Sequence, residues 1–566
     1  MKIINHFALL LLFGCAVSCT QPENSISNES IGIIPLPSTY ELKPGTFYIT
    51  GQSSIGIDKS DPEMTALANY FNEEISDATG FSLPVNNSGT IIFQLGEHKE
   101  LGEEGYQLPI SSDQLILSAY KHHGIFNGIQ SVLQLLPPEI KSKTVQADAT
   151  WSINCIEVTD KPQFAWRGLM LDVSRHFFTK QEVKKFIDQM AEYKYNVFHW
   201  HLTDDQGWRL EVKSLPRLTA IGAWRAPRVG NWWEREPQLP TDSLSYGGYY
   251  TTEDIREIVE YAQQRYVTIV PEIDIPGHSM AALSAYPEIS CTGGPFHVNV
   301  GNTFYTKIEN SLCAGNEQTF EVLDSVFAEV ARLFPSPYIH IGGDECYKGF
   351  WEKCSKCKMR MQKEHLKNLE SYFVKRVAAM VQKRGKQVIG WDEILEGGLA
   401  PETIVMSWRG MKGGIEAAKQ GHSVIMTPTD HCYLDFYQGD PTVEPNTYSM
   451  LRLQDCYKYQ LIPDSVDASL IMGGQGNLWT ESVPHYRQVE YMIWPRALAI
   501  SETLWTDARL RNWKFFVNRV EQQFERFDRS GVNYARSIYD PIIYPHWDKE
   551  RQLKIAMKTE IEGLSL

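Results

Sequence analysis

From about Pro162 onward the sequence alternates eight short apolar runs with amphipathic stretches, and this rhythm constrains the fold more than any other feature of the chain. The runs are Leu169-Met170-Leu171, Val197-Phe198-His199-Trp200, Val267-Thr268-Ile269-Val270, Ile339-His340-Ile341, Val388-Ile389, Ile404-Val405-Met406, Val424-Ile425-Met426 and Leu470-Ile471-Met472. Each reads as a buried strand. The segments between them carry helical spacing: Thr179 and Glu182 make a capping box ahead of Val183, Phe186, Ile187 and Met190 at i, i+3, i+4 and i+7. Ile255, Ile258, Val259 and Ala262 repeat that stripe, as do Leu323, Val326, Phe327 and Val330. Eight strands alternating with helices predict a (β/α)8 TIM barrel over residues 156–535. A smaller α+β domain is expected ahead of it over residues 32–155, with strands at Phe47-Tyr48-Ile49, Thr90 to Phe93 and Leu115 to Leu117 and helices near Pro62 to Ser76 and His122 to Leu136.

A barrel of this kind places active residues at the C-terminal ends of its strands. The polar residues comply: Asp172 and Arg175 follow the first run, Asp204 and Asp205 the second, Glu272, Asp274 and His278 the third, Asp344 and Glu345 the fourth. Trp391-Asp392-Glu393 closes the fifth and Trp408-Arg409 the sixth, while Tyr433 and Asp435 follow the seventh and Trp479 and Glu481 the eighth. At the centre stands Tyr338-Ile339-His340-Ile341-Gly342-Gly343-Asp344-Glu345, an apolar strand, two turn glycines and two adjacent carboxylates. Taken alone, an Asp-Glu pair is more often a solvated turn. At the mouth of a barrel rich in Asp, Glu and Trp it is equipment for glycoside hydrolysis, with an acid for the leaving oxygen, negative charge for an oxocarbenium-like centre and indole walls for the sugar. Metal-assisted hydrolysis is the rival, but the histidines read as scattered singly and no His-Glu-x-x-His set occurs. Ser-His-Asp chemistry lacks its Gly-x-Ser-x-Gly elbow.

His340-Ile-Gly-Gly-Asp344-Glu345, Leu171-Asp172-Val-Ser-Arg175-His176-Phe177, His199-Trp-His-Leu-Thr-Asp204-Asp205 and Glu272-Ile-Asp274-Ile-Pro-Gly-His278 together resemble the motifs of the family-twenty glycoside hydrolases, the β-N-acetylhexosaminidases. The resemblance runs from about Gly32 to Asn533 and implies a barrel preceded by a small α/β domain. It also implies exo-hydrolysis of terminal GlcNAc or GalNAc by a substrate-assisted retaining mechanism, in which the sugar's acetamido oxygen forms an oxazolinium ion. Carried over residue by residue, Glu345 matches the general acid/base and Asp344 the residue that orients the acetamido N–H. Asp204 and His278 match a pair supporting the acid, and Arg175 an arginine that forks onto O3 and O4. Trp391, Trp408 and Trp479 match the cage around the acetamido methyl, Tyr433 the donor to its carbonyl, and Asp435 and Glu481 the acceptors for O4 and O6. The duller reading of the three tryptophans is barrel packing. No metal and no cofactor is implied, and the partner is a glycan ending in N-acetylhexosamine. The long loop from Ala226 to Gly248, with Trp232 and Trp233, reads as an aglycone surface or a cover for the barrel.

The formal charge of -15 argues against a nucleic-acid partner, which demands a basic face. Lys2, the apolar run from Phe7 to Val17 and Ser18-Cys19 have the layout of a secretory leader over residues 1–19, and Ala16-Val17-Ser18-Cys19 resembles a lipobox. A chain exported to the periplasm or outer membrane is expected, held by a lipid on Cys19, with residues 20–31 as a tether. Of ten cysteines two, Cys15 and Cys19, lie in this leader; among the rest, Cys291 with Cys313 is the expected disulfide. For Cys346, Cys354 and Cys357 a disulfide or free thiols are expected ahead of zinc, because one Cys-x-x-Cys without a second is weak. Residues 536–566 read as a tail or a shortened β module, with strand-like alternation at Leu553, Ile555 and Met557.

Overall fold

The computed structural model describes residues 31–539 except 302–307, 397, 443 and 445. The expected leader at 1–19, all but the last residue of the tether, and the tail beyond 539 lie outside the described residues. No helix among the described residues is long and apolar enough to cross a membrane.

The eight apolar runs form a closed parallel barrel in chain order. Its strands are Trp166–Asp172, Val197–His201, Thr268–Glu272, Tyr338–His340, Gln387–Trp391, Ile404–Ser407, Val424–Met426 and Ile471–Leu478. The register closes as Gly168 pairs with Val197 on one side and Gln475 on the other. These strands are buried almost throughout, which is why they read as continuous apolar runs instead of alternating ones. The three helical stripes face the barrel: Lys180–Glu192, Thr252–Gln263 and Glu317–Leu333 bury the residues named for each. Thr179 and Glu182 form their capping box.

The smaller domain is a seven-stranded sheet in the order Thr39–Tyr48, Ser152–Asp160, Tyr106–Ile110, Leu115–Ala119, Ile91–Leu95, Ile55–Gly56, Val85–Asn86. Helices Pro62–Thr79 and His122–Leu135 cover one face. Asp61 caps the first by accepting from the Glu63 and Met64 N–H groups, and Gly80 ends it at φ 69°, in the left-handed region glycine adopts without strain. The last strand of this sheet runs on to Asp160, so residue 155 falls inside the strand and not at a junction.

Buried cations join the small domain to the barrel, Lys194 and Arg526 among them. Lys194, on the turn after the first barrel helix, donates to Asp160 at 2.9 Å, both side chains fully buried. Asp160 also accepts from Tyr106 Oη at 2.9 Å and from Trp505 Nε1 at 2.8 Å. Arg526, on the final helix Trp513–Ser530, donates to the carbonyls of Leu133, Gln134 and Leu136, the open C-terminal end of the small domain's second helix. Removing one member of a buried pair strands the other charge. Lys194→Met is therefore expected to destabilise the chain by about 3–5 kcal/mol, read as a lower urea midpoint at unchanged slope.

Candidate active site

The fourth barrel strand ends at His340, and the chain then turns through Gly342 (φ 67°) and Gly343 (φ 100°). A Cβ on Gly342 would stand 1.7 Å from Asp274 Oδ1, so the first glycine is required both by its backbone and by the carboxyl seated against it. The turn delivers Asp344, 8% exposed, and Glu345, which carries a left-handed φ of 45°. His278 faces them with φ 48°. Two non-glycine residues in this sparsely populated region mark a place where the surrounding structure overrides local preference. His278 Nε2 lies 3.7 Å from Asp344 Oδ2 and 3.5 Å from Glu345 Oε2, and its Nδ1 lies 3.1 Å from Asp204 Oδ1. Asp344 Oδ1 is buried without a hydrogen-bond partner among the described residues.

Beneath this pair the barrel holds a buried array of acids and imidazoles. His199 and His201 stand two apart on one strand and so point to the same side. The expectation of singly scattered histidines is wrong already in the sequence, where His199-Trp200-His201 is a His-x-His set, and in the fold the two meet His340 around Glu272. His201 Nδ1 lies 2.5 Å and His199 Nε2 2.9 Å from Glu272 Oε2, while His340 Nδ1 lies 3.0 Å from Oε1 and Trp391 Nε1 donates to Oε1 at 3.0 Å. Burial alone would raise the Glu272 carboxyl, but the three imidazoles hold it well below the usual carboxylate range. His201 is raised well above its ordinary value because Glu272 and Asp204, 2.9 Å from its Nε2, outweigh the cost of burial. Burial pulls His199 down to about 4 despite Glu272. Asp204 is likewise depressed against the pull of burial, chiefly by Arg175, whose Nη2 lies 2.8 Å away, and by His278.

Other acids of the mouth move the opposite way. Burial, reinforced by Asp344, keeps Asp274 well above the usual range, consistent with two carboxyl oxygens that find no hydrogen-bond donor among the described residues. Burial also raises Asp344, with Glu345 and Glu272 adding to it and His278 opposing. Asp205, beside the Asp204 charge, is pushed up to about 6 by burial and that neighbour. It accepts from Met280 N and from Asn310 Nδ2.

The walls come from the remaining strand ends. Trp391 is 1% exposed, its ring centroid 4.7 Å from His340 and 5.9 Å from Trp479. Trp408 stacks on Tyr433 at 6.1 Å and donates to Glu393 Oε2 at 2.9 Å. Arg175 lies with Nη1 3.1 Å from Asp172 and 3.8 Å from Glu481, and its guanidinium sits 4.9 Å over the Trp479 ring. Burial raises Asp435, with Glu481 adding to it, and Asp435 Oδ1 is buried without a partner among the described residues. All the residues singled out from sequence thus gather at one mouth. Sequence reasoning missed the roles of His199, His201 and His340, Gln206, which accepts from Arg175 Nε at 3.0 Å, and Tyr448, whose ring packs against Phe436 and whose phenol is raised by burial and by the charges of Asp435, Glu481 and Glu345. The long loop divides its tryptophans: Trp232 is buried, while Trp233 is 39% exposed with its ring 6.4 Å from Tyr448. A cavity of about 600 Å³ opens beside Glu481, lined by this loop through Trp232, Glu234 and Arg235 and by Asn446 and Gln488.

Under the mouth His199, His201 and His340 converge on Glu272, while Asp274 stands beside them with neither carboxyl oxygen hydrogen-bonded among the described residues. A second cluster holds only sulfur: Cys291 and Cys313 are not bonded to each other, contrary to expectation, because both thiols converge with those of Cys354 and Cys357. Cys346 stands outside that cluster.

The model of the glycosyl hydrolase family 20 catalytic domain matches residues 164–508, and that of the family's domain 2 matches residues 30–161. A β-hexosaminidase of Porphyromonas gingivalis is 39% identical over 539 residues, spanning 93% of this chain and 67% of its own. One from Vibrio furnissii is 34% identical over 482 residues, 83% of this chain and 76% of its own. Among solved structures, the GH20 β-N-acetylhexosaminidase of Streptomyces coelicolor superposes with a TM-score of 0.81 at 31% identity, covering 90% of this chain and 98% of that one. A mutant Streptomyces plicatus β-hexosaminidase in complex with the product GlcNAc does so with 0.80 at 32% identity, covering 90% and 97%.

The raised carboxyl of Asp205 sets a pH dependence. Its proton is held more tightly in the folded than in the unfolded chain, so the stability it contributes is complete below the unfolded carboxylate range and is lost as pH rises through about 6. Between about pH 4 and pH 7 the melting temperature of the wild type is expected to fall relative to that of Asp205→Asn, by the equivalent of roughly 2 kcal/mol.

Proposed function

The chain belongs to glycosyl hydrolase family 20 and is an exo-β-N-acetylhexosaminidase, and from that premise we propose how its own residues divide the reaction. A terminal, non-reducing β-linked GlcNAc or GalNAc enters the mouth. Its acetamido oxygen attacks the anomeric carbon while Glu345 protonates the departing glycosidic oxygen, and the oxazolinium ion so formed is opened by water that Glu345 then deprotonates. The observation that carries this assignment is the buried, unpartnered Oδ1 of Asp344 beside the more exposed Glu345. A buried acceptor without a donor is costly unless a ligand supplies one, and the acetamido N–H is such a donor. Two carboxylates on consecutive residues of one turn also suit participation by the substrate. A protein nucleophile has to stand on the opposite face of the sugar, about 5 Å from the acid, normally on another strand.

The network below supports the same division. With Nδ1 turned to the depressed carboxylate of Asp204, His278 presents Nε2 to the acid pair, 3.7 Å from Asp344 and 3.5 Å from Glu345. Arg175, fixed between Asp172 and Asp204, keeps its planar fork rigid for the vicinal O3 and O4 hydroxyls. Asp435 and Glu481 accept from O4 and O6 and close the pocket behind the terminal sugar, which makes the enzyme exo-acting. Trp391, Trp408 and Trp479 enclose the acetamido methyl, and Tyr433 donates to its carbonyl.

Glu345→Gln is expected to lower kcat/KM on chitobiose by about 10²–10⁴-fold while sparing kcat/KM for aryl glycosides with activated leaving groups, whose kcat alone falls because the oxazolinium is then opened without its base. Asp344→Asn is expected to slow both substrate types alike, by about 10²–10³-fold. Equal losses on the two substrates for Glu345→Gln, or a sugar trapped covalently on the protein, would refute the assignment.

We further propose export and lipid anchoring through Cys19, supported by the apolar run that precedes it. The wild type is expected in the detergent phase of a membrane extract and Cys19→Ala in the aqueous phase; equal partitioning rules the anchor out.

A further inference from the structure

Cys291 and Cys313 lie in the long connection after the third barrel strand, and Cys354 and Cys357 in the connection after the fourth, beyond Glu345. The four Sγ atoms all lie within 4.8 Å of one another. Cys291 to Cys357 is 3.7 Å, Cys313 to Cys357 is 3.7 Å, and Cys313 to Cys354 is 3.8 Å. A disulfide draws its two sulfurs to about 2.05 Å and so selects one partner for each. Here no partner is selected: Cys357 is equally far from two sulfurs, and so, within 0.1 Å, is Cys313. Four thiolates around an ion at a zinc–sulfur distance of about 2.3 Å form a tetrahedron whose edges are about 3.8 Å. Three of the six edges have that length, and the other three are no longer than 4.8 Å.

We propose that Cys291, Cys313, Cys354 and Cys357 bind one zinc ion in a closed structural tetrathiolate site. Thiolates are soft ligands that select zinc over calcium or magnesium, and four of them leave no open position for substrate or water. The backbone is shaped for it. A Cβ on Gly315 would stand 2.3 Å from Cys357 N, so the turn after Cys313 approaches the Cys-x-x-Cys turn as only glycine allows. Cys354 is the N-cap of helix Ser355–Lys363, which directs that helix's positive end at the sulfurs. The helix carries Lys356, Lys358 and Lys363 and no acid, which favours the net negative charge of a four-thiolate zinc centre, while its Arg360 is taken up by Glu317 and Glu364. Cys313 and Cys357 are fully buried, Cys354 is 8% exposed and Cys291, at the edge of the cluster, is partly buried.

The ion ties together the two connections whose near ends carry His278 and Glu345. They touch elsewhere through Trp351 Nε1, which donates to Leu312 O at 2.9 Å. Zinc would act here as a clamp on the positions of the acid pair and its histidine, with no part in the chemistry.

The full chain purified without chelator or added metal is expected to contain about one zinc per chain by mass spectrometry of its metals. Its thiols should resist a thiol reagent until a zinc chelator and denaturant are added together, and the chelator should lower the melting temperature of the native protein. Reconstitution with cobalt should give the charge-transfer and intense d–d bands of a tetrahedral thiolate complex, and Cys354→Ser combined with Cys357→Ser should abolish them. The wild-type cobalt spectrum reports on the site even where the variant fails to fold. Zinc at background after reconstitution under reducing conditions would overturn the proposal, as would an intact mass lighter by the hydrogens lost in forming two disulfides.

Discussion

The catalytic mouth depends on one buried anion. Glu272 sits at the end of the third barrel strand with no exposure to solvent, and an isolated carboxylate there would be too costly to remain ionised. It remains charged because imidazoles from the second and fourth strands and the indole of Trp391 from the fifth converge on it. Each partner then carries orientation one step farther out. His201 fixes Asp204, Asp204 fixes His278 and Arg175, and Trp391 packs against Trp479, so a charge at the barrel's interior sets the positions of groups that meet substrate.

The same array sorts its acids into two kinds. Glu272 and Asp204 are held as anions by cationic or imidazole neighbours, whereas burial raises Asp274, Asp344 and Asp435, reinforced by the neighbouring acids Asp344, Glu345 and Glu481 respectively. Close packing of like groups in a low dielectric forces this separation, since neighbouring carboxyls cannot all ionise. An active site that must hold a proton on one group and a charge on the next gains both states from a single crowded mouth.

How much of this was legible in the sequence follows from which interactions are local. The eight barrel strands announce themselves because they are buried on both faces, and the acids at their ends follow from the topology of a parallel barrel. The small domain was read less completely. Tyr106–Ile110 is interrupted by Pro109 and Ile55–Gly56 is only two residues long, so neither gives an alternating pattern, and Ser152–Asp160, across which the expected boundary fell, was not read as a strand. The acid pair and the tryptophans were recognisable from their motifs. The roles of His199, His201 and His340 were not, because an imidazole's partner is decided by which strands become neighbours. The cysteine cluster was hidden for the same reason: Cys291 and Cys357 are separated by 66 positions and meet only when two connections fold over each other.

Arg526 closes a helix that was made long before it. The carbonyls of Leu133, Gln134 and Leu136 end a helix of the small domain, yet their donor arrives on the last long helix of the barrel. During synthesis the early domain must therefore wait, its helix end hydrated, until nearly the whole barrel has emerged. The two units are sequential on the ribosome but complete each other only at the finish, so neither is a free-standing module that could be cut from the other without exposing an open end.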